Sequence, residues 1–214
     1  RQQHPKYQGG FMTTNVSILA TGLANLASVT AAFERLGTTT SIVTDPTAVK
    51  EADRLVVPGV GHFGAAMRKL TALGLVDPLI TRVRGGRPTL GICLGLQIFG
   101  ETSEESPEAS GLGWIPSPVT SFPSSVISPQ MGWNKVLPSP ESKFLEEGYA
   151  YFANSYAYRN IPQGWSGATC QYGGVRVAAV EKDGFLGCQF HPELSGAYGE
   201  RLLSRWLSQE VRPC

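Results

Sequence analysis

Apolar and polar residues alternate in blocks through the first hundred positions of the chain. Short apolar runs are followed by amphipathic stretches, a pattern that predicts an α/β fold with a mostly parallel sheet. Between residues 25 and 36 the apolar positions recur every three or four residues, so they share one face of a helix that ends at Gly37. The predicted strands of this half are 16–20, 41–43, 54–57 and 88–92, and its other predicted helices are 63–70, 75–84 and 94–99.

The pattern changes after Glu101. Residues 103–125 hold seven serines and four prolines, so we predict a surface connection without a helix there. Further strands are predicted at 136–137, 150–158, 167–172, 175–181 and 185–190, and a closing helix has its apolar face at Tyr198, Leu202, Leu203, Trp206 and Leu207. Strands without intervening helices favour antiparallel or mixed pairing in this half.

Composition favours one globular domain. The chain has 214 residues, 42% of them hydrophobic, which suffices to bury a core. Its formal net charge of +1 produces no long-range attraction for nucleic acid or anionic membranes. No apolar run reaches the roughly 18 to 20 residues of a membrane-spanning helix. We therefore expect neither a nucleic-acid nor a membrane partner.

The N-terminal segment and the cysteines bear on processing and location. Residues 1–11 are polar and lack the apolar core of a secretion signal, so we interpret them as a cloning scar or a disordered tail before a domain at 12–214. The four cysteines form no CxxC pair, which argues against a zinc site or a disulfide scaffold. Free thiols favour a cytoplasmic location.

A possible nucleophile lies in Gly91-Ile92-Cys93-Leu94-Gly95, where a predicted strand meets a predicted helix. This G-x-C-x-G segment is the thiol counterpart of a nucleophile elbow, in which small flanking residues allow a sharp turn. The start of the helix would then stabilise a thiolate and donate N–H groups to an oxyanion. The alternative is a buried cysteine in a glycine-rich strand end.

A possible base lies in Gln189-Phe190-His191-Pro192-Glu193, after another predicted strand. A thiol nucleophile requires a base, and the base requires an acceptor that orients it, so His191 and Glu193 fit these two roles. Pro192 restricts the backbone between them. Taken alone, H-x-E is more often an inert surface strand end, and the elbow around Cys93 is what favours the catalytic interpretation.

A third motif, Pro58-Gly59-Val60-Gly61, ends a neighbouring predicted strand. Ligands bind at the carboxyl edge of open α/β sheets, so the N–H groups of this loop are candidates for an oxyanion hole. By itself the motif also fits a simple turn.

With these three motifs in this order, the chain resembles class I (triad) glutamine amidotransferases from about Val16 to Leu207. Within that family it is most similar to the glutaminase subunits of imidazole glycerol phosphate synthases. The shorter motifs that carry this similarity are Gly22 with Asn25-Leu26, His62-Phe63-Gly64, Met131-Gly132-Trp133-Asn134 and Tyr151-Phe152-Ala153-Asn154-Ser155-Tyr156. The resemblance implies a single flavodoxin-like α/β domain, its central, mostly parallel sheet flanked by helices, with an antiparallel or mixed C-terminal portion.

The resemblance also implies a reaction and a set of site residues. Cys93 would attack the side-chain amide of glutamine to form a glutamyl thioester and release ammonia, with His191 as proton carrier and Glu193 holding its tautomer. Family positions assign Gly59, Val60, Gly61 and Leu94 to the oxyanion hole and Gln97, Ser155 and Tyr156 to substrate binding. Neither a metal nor a cofactor is implied.

A protein partner is implied as well, because the family passes its ammonia to a (β/α)8 cyclase or synthase subunit. Asn25 and Trp133 match family interface positions. The chain departs from the family pattern at Ala24, Gln130, Asn154 and Leu194, the last replacing a lysine that forms a salt bridge to the synthase. We expect these departures to cluster on the interface, which leaves a paralogous synthase open as the partner.

Two other interpretations remain. A cysteine peptidase or other thiol hydrolase of similar fold would share the elbow and the histidine, but it would not need Gln97 or Ser155-Tyr156. A non-enzymatic interaction module would not need the three catalytic side chains together.

Overall fold

The computed structural model describes residues 14–22 and 25–211. The predicted tail at 1–11, Ala24 and Cys214 lie outside the described residues. The helices are α1 (Leu26–Arg35), α2 (Pro46–Glu51), α3 (Phe63–Ala72), α4 (Val76–Arg84), α5 (Leu94–Gln97) and α6 (Gly196–Leu207), with a 3-10 turn at Pro192–Leu194. None of the helices in these ranges combines the length and apolarity that crossing a bilayer requires.

Nine of the strands in the described ranges form one mixed sheet. The strands are β1 (Asn15–Leu19), β2 (Thr39–Val43), β3 (Leu55–Gly59), β4 (Thr89–Cys93), β5 (Val119–Ser121), β6 (Gln130–Pro138), β7 (Gly148–Asn154), β8 (Tyr156–Tyr158), β9 (Ser166–Gln171), β10 (Val175–Lys182) and β11 (Phe185–Cys188). The order in the sheet is β2-β1-β3-β4-β11-β10-β9-β6-β7, and β5 pairs separately with β8. The first five strands in this order are parallel to one another, and the remaining neighbours pair antiparallel. The predicted parallel first half and mixed second half are confirmed.

Helices cover both faces of the parallel part of the sheet. Side chains alternate along each strand, so Ile18 and Val56 pack with α1 and α6 on one face, while Leu55 and Val57 pack with α2, α3 and α4 on the other. Each face thereby closes its own apolar core, and the carboxyl ends of the central strands stay open at one edge.

Several predicted elements were wrong in extent. The helix expected at 94–99 is only the four residues of α5, because Phe99 and Gly100 donate to the carbonyls three residues back and tighten the chain into a turn. The expected strand 150–158 is interrupted at Ser155. α2 was missed, although Asp45 caps it and Pro46 opens it.

The serine- and proline-rich connection is also more buried than its composition predicts. Leu112, Ile115 and Val119 are buried in the second core, and β5 lies within it. Two buried serines, Ser103 and Ser106, lie in its first turn. The segment is therefore an ordered flap over the core and not simply a surface connection.

Candidate active site

The three predicted chemical motifs meet at the carboxyl edge of three adjacent parallel strands. Cys93 ends β4, the glycine loop continues from β3, and His191 follows β11. Register places Gly59 opposite Cys93 on one side and Cys188 opposite Ile92 on the other. The sheet therefore brings together residues that lie far apart in the chain.

Cys93 occupies the sharp turn expected of a nucleophile elbow. Its backbone has φ 55° and ψ −112°, a left-handed conformation that costs energy for a residue with a side chain. Gly91 and Gly95 permit the turn, since a Cβ at Gly91 would lie 2.7 Å from the Gly95 carbonyl oxygen and one at Gly95 would collide with the Val57 carbonyl. Cys93 is 7% exposed.

Backbone donors lie directly beside the thiol. Leu94 is the first residue of α5, so its N–H has no partner within the helix. Because α5 is four residues long, local N–H groups contribute more here than the macrodipole that we invoked from sequence. Gly59, Val60 and Gly61 approach from the β3 side, with Gly61 at φ 100°.

His191 and Glu193 form a buried pair. Nδ1 of His191 lies 2.8 Å from Oε1 of Glu193, and the side chains are 8% and 6% exposed. Burial lowers the pKa of His191, but hydrogen bonds to Cys93 and Glu193 and their negative charges outweigh it and raise that pKa to about 10. These contacts therefore favour the protonated form of the imidazole.

Ser195 holds the turn that carries this pair, a role that the sequence did not reveal. Its Oγ donates to the His191 carbonyl (2.6 Å) and accepts from the Tyr151 N–H (3.0 Å). The His191 N–H in turn donates to the Tyr151 carbonyl at 2.9 Å. Two of these hydrogen bonds fix the base to β7, and the third closes the turn.

A cleft of about 190 Å³ opens in front of Cys93. Gln97, Ser155 and Tyr156, the predicted substrate residues, line it together with Val60, Gly61 and Leu94. Nε2 of Gln97 donates to the Tyr156 carbonyl (2.9 Å) and to Oε1 of Gln189 (3.0 Å). The cleft therefore combines the thiol with oriented polar groups.

Glu105 is a cleft residue that sequence reasoning missed. It lines the cleft, and its Oε2 accepts from the Phe63 N–H at 2.6 Å, which fixes the flap to the start of α3. Ser106 accepts from the Gly64 N–H beside it. The acidic run at 104–105 was the available signal, but it was assigned to a surface connection.

A second cavity of about 220 Å³ lies on the His191 side of the site. Val60 and Ala153 line both cavities, while His191, Glu193 and Leu194 line the second. Oε2 of Glu193 has no hydrogen-bond partner among the described residues. The triad side chains thus separate two solvent-accessible spaces.

Exposed apolar residues lie at the two cavities and on the paired strands β6 and β7. We call this group the apolar rim; its residues are Val60, Met131, Trp133, Tyr149 and Leu194, each at least 44% exposed. The Trp133 ring packs edge-on against Tyr151 at 6.1 Å between centroids. Exposed apolar residues grouped in this way are a candidate interaction surface.

The predicted interface residues divide into exposed and buried groups. Asn25 is exposed, and its side chain caps α1 by accepting from the Ser28 N–H. Gln130 and Asn154, which we expected on the interface, are 3% and 5% exposed and face each other across β6 and β7. That part of the expectation was wrong, because both side chains point inward where the apolar rim points outward.

The sequence of this chain is similar to those of known glutamine amidotransferases. The family model for glutamine amidotransferase class-I matches residues 17–209. The imidazole glycerol phosphate synthase subunit HisH of Syntrophotalea carbinolica is 40% identical over 204 residues, covering 89% of this chain and 98% of that protein. The subunit of the same name from Escherichia coli K12 is 43% identical over 198 residues, covering 90% and 98%.

Solved structures show the same fold at lower sequence identity. A crystal structure of a glutamine amidotransferase superposes with a TM-score of 0.73 at 21% identity, covering 90% of this chain and 96% of that one. A chain from the structure of PurLQS from Thermotoga maritima superposes with a TM-score of 0.70 at 18% identity, covering 92% and 98%. The predicted flavodoxin-like class I fold is thereby confirmed.

Proposed function

The chain belongs to the class-I glutamine amidotransferase family, and we propose that it is the glutaminase subunit of an imidazole glycerol phosphate synthase. In this role it hydrolyses glutamine in the cytoplasm and passes ammonia to a (β/α)8 cyclase subunit for histidine biosynthesis. The observation that carries the proposal is the buried His191–Glu193 pair beside the strained Cys93, at the edge of a cleft with oriented amide groups. No metal or cofactor takes part.

The reaction begins when the thiol of Cys93 passes its proton to His191 and the resulting thiolate attacks the side-chain amide carbon of glutamine. The carbonyl oxygen becomes an oxyanion, for which the N–H groups of Leu94 and of the 59–61 loop are the donors. Protonated His191 gives its proton to the leaving nitrogen, so ammonia departs and a glutamyl thioester remains. His191 then takes a proton from water, which attacks the thioester and releases glutamate, and Glu193 keeps the imidazole oriented throughout.

The cleft suits the amino-acid end of glutamine. Both amide hydrogens of Gln97 are occupied, so its carbonyl oxygen remains as an acceptor for the substrate ammonium group. Glu105 adds a carboxylate to the lining of the cleft, and Ser155 and Tyr156 add further polar groups. A zwitterionic substrate is favoured over the interior of a peptide chain.

We predict that Glu105→Gln raises KM for glutamine by about 10-fold or more with a smaller change in kcat. The substitution removes the charge that attracts the substrate ammonium, while the amide oxygen still accepts from the Phe63 N–H. Steady-state glutamate production measures both constants. The matched control is Glu104→Gln, whose carboxylate bonds to Ser121 outside the cleft; equal KM values for the two variants would contradict the role of Glu105.

The thiol-hydrolase alternative is tested by comparing substrates. Purified protein is incubated with free glutamine and with glutamine-containing peptides blocked at both ends, and glutamate, ammonia and cleaved peptide are quantified. Release of ammonia from free glutamine alone supports the proposal. Cleavage of peptide bonds would replace it with the peptidase.

The apolar rim leads to a prediction about the partner. The cyclase is expected to bind there and to raise the rate of glutamine hydrolysis, with an affinity that changes by no more than about threefold between low and high salt, because Leu194 cannot form an ion pair. Titration calorimetry at two ionic strengths measures this, and Leu194→Lys is the matched variant expected to gain salt dependence. A steep loss of wild-type affinity with salt would contradict the apolar interface, and no binding at all would favour a paralogous synthase.

A further inference from the structure

We propose that Gln189 is a further catalytic residue, which donates a hydrogen bond to the reacting sulfur of Cys93 and ties that sulfur to the substrate-binding amide of Gln97. The inference rests on the proposed function, since it assigns a residue to the same reaction. Its evidence is the geometry of three buried side chains.

Register places Gln189 beside the nucleophile. β11 pairs in parallel with β4 up to Cys188 opposite Ile92, so the next residue of each strand is Gln189 and Cys93. The Gln189 N–H donates to the Ala178 carbonyl at 2.8 Å, and the residue is 1% exposed. Its backbone is therefore fixed, and the side chain has no access to solvent that would compete for its hydrogen bonds.

Both the nitrogen and the oxygen of the Gln189 side-chain amide form hydrogen bonds. Its Nε2 donates to Sγ of Cys93 at 3.8 Å, and its Oε1 accepts from Nε2 of Gln97 at 3.0 Å. Gln97 gives its other hydrogen to the Tyr156 carbonyl, so the direction of the whole chain of bonds is determined. A change in how Gln97 is held is thereby transmitted to the sulfur.

The donor from Gln189 favours the charged form of the sulfur. As a thiol, Cys93 donates to the Ala153 carbonyl at 3.8 Å, and it loses that bond on deprotonation. The bond from Gln189 is kept and becomes charge-assisted, which strengthens it in a buried site. In the thioester the sulfur is neutral again, so the same donor favours its return to thiolate when water attacks.

The test separates the donor from the acceptor of this amide. Gln189→Glu keeps the size and the acceptor toward Gln97 but replaces the donor with an oxygen, whereas Gln189→Met removes both. Each is made in a Cys214→Ser background, and alkylation of Cys93 by iodoacetamide is followed from pH 5 to 10 by mass spectrometry of the labelled peptide. Buried Cys188 serves as an internal reference, because burial raises the pKa of its thiol well above the ordinary value.

In Gln189→Glu we expect half-maximal alkylation to move up by about 1 pH unit or more, with kcat for glutamine reduced about 10-fold at neutral pH and KM changed less than about twofold. Gln189→Met is expected to raise KM as well, because Gln97 loses its partner. Gln171→Glu makes the same change at an exposed position of β9 and is expected to leave the alkylation profile, kcat and KM unchanged. Because a carboxylate at position 189 also places a negative charge beside the sulfur, the decisive alkylation profile is that of the neutral variant Gln189→Met. Loss of a donor moves that profile to higher pH, whereas loss of a purely structural residue lowers stability and leaves the profile in place.

Alkylation profiles of folded Gln189 variants that superpose on the wild type would overturn the proposal. If thermal unfolding shows that neither variant folds, Gln97→Leu provides the second arm: Gln189 stays in place but loses the bond that orients it, so a smaller upward shift is expected and an unmoved profile overturns the relay. Alkylation needs no glutamine turnover. A wild-type protein without glutaminase activity would therefore overturn the proposed function while leaving this measurement valid.

Discussion

Cys93→Ala is expected to lower kcat for glutamine hydrolysis by about 10⁶-fold, to the background rate, without unfolding the protein. In the proposed mechanism the sulfur forms the covalent bond to the substrate, and no other described side chain in the cleft offers a comparable nucleophile. Alanine adopts the strained turn at the same backbone cost and fits the space, so stability is retained. Cys93→Ser should be equally inactive, because its hydroxyl holds its proton far more tightly than a thiol.

Glutamate production by stopped assays, with thermal unfolding as a check on folding, measures this effect. The control is Cys170→Ala, which removes a buried thiol of β9 away from the cleft and keeps activity. More than a trace of glutaminase activity in a clean Cys93→Ala preparation would refute the assignment of the nucleophile.

His191→Ala is expected to be nearly as damaging, and Glu193→Ala to retain about 10- to 100-fold more activity than His191→Ala. In the proposed mechanism His191 carries the proton in both halves of the reaction, whereas Glu193 orients the imidazole and supports its charge through one 2.8 Å bond. Without Glu193 the hydrogen bond and charge of Cys93 still raise the pKa of the imidazole, so part of the function survives.

The ranking of kcat values checks these roles. His62→Ala is the matched control, since His62 is exposed at the start of α3 and contacts Ser106 rather than the triad; its kcat should stay within about twofold of the wild type. A higher kcat for His191→Ala than for Glu193→Ala would mean that the two roles are reversed.

The residues predicted from sequence are those whose chemistry is local. The elbow around Cys93 and the His191-Pro192-Glu193 turn are each contained in five residues, so their spacing is visible in the chain. Glu105, Gln189 and Ser195 were missed because each acts through a bond to a distant segment: Phe63, Cys93 and Tyr151. Only the tertiary pairing makes their roles visible.

The fold was also predictable in part from the sequence. Alternating strands and helices correctly indicated the parallel half, since both faces of that sheet are covered and each strand is a short apolar run. β6 was predicted over only two of its nine residues, because one of its faces exposes Met131 and Trp133 while the other is buried, which interrupts the apolar run. The flap at 103–125 was misjudged because its two buried serines accept hydrogen bonds from backbone N–H groups, Ser103 from nearby Glu105 and Ser106 from Gly64 of α3.

The position of β11 bears on the order in which the parts of the site become available during synthesis of the chain. It is the last strand in chain order among the described residues, yet it lies between β4 and β10 in the middle of the sheet. While residues 185–193 have not yet been synthesised, the growing chain has the thiol of Cys93 but neither His191 nor the central strand of the sheet. The strand that fills the centre of the sheet is thus followed directly by the residues of the base, so the sheet and the pairing of base with nucleophile both depend on a segment that is synthesised late.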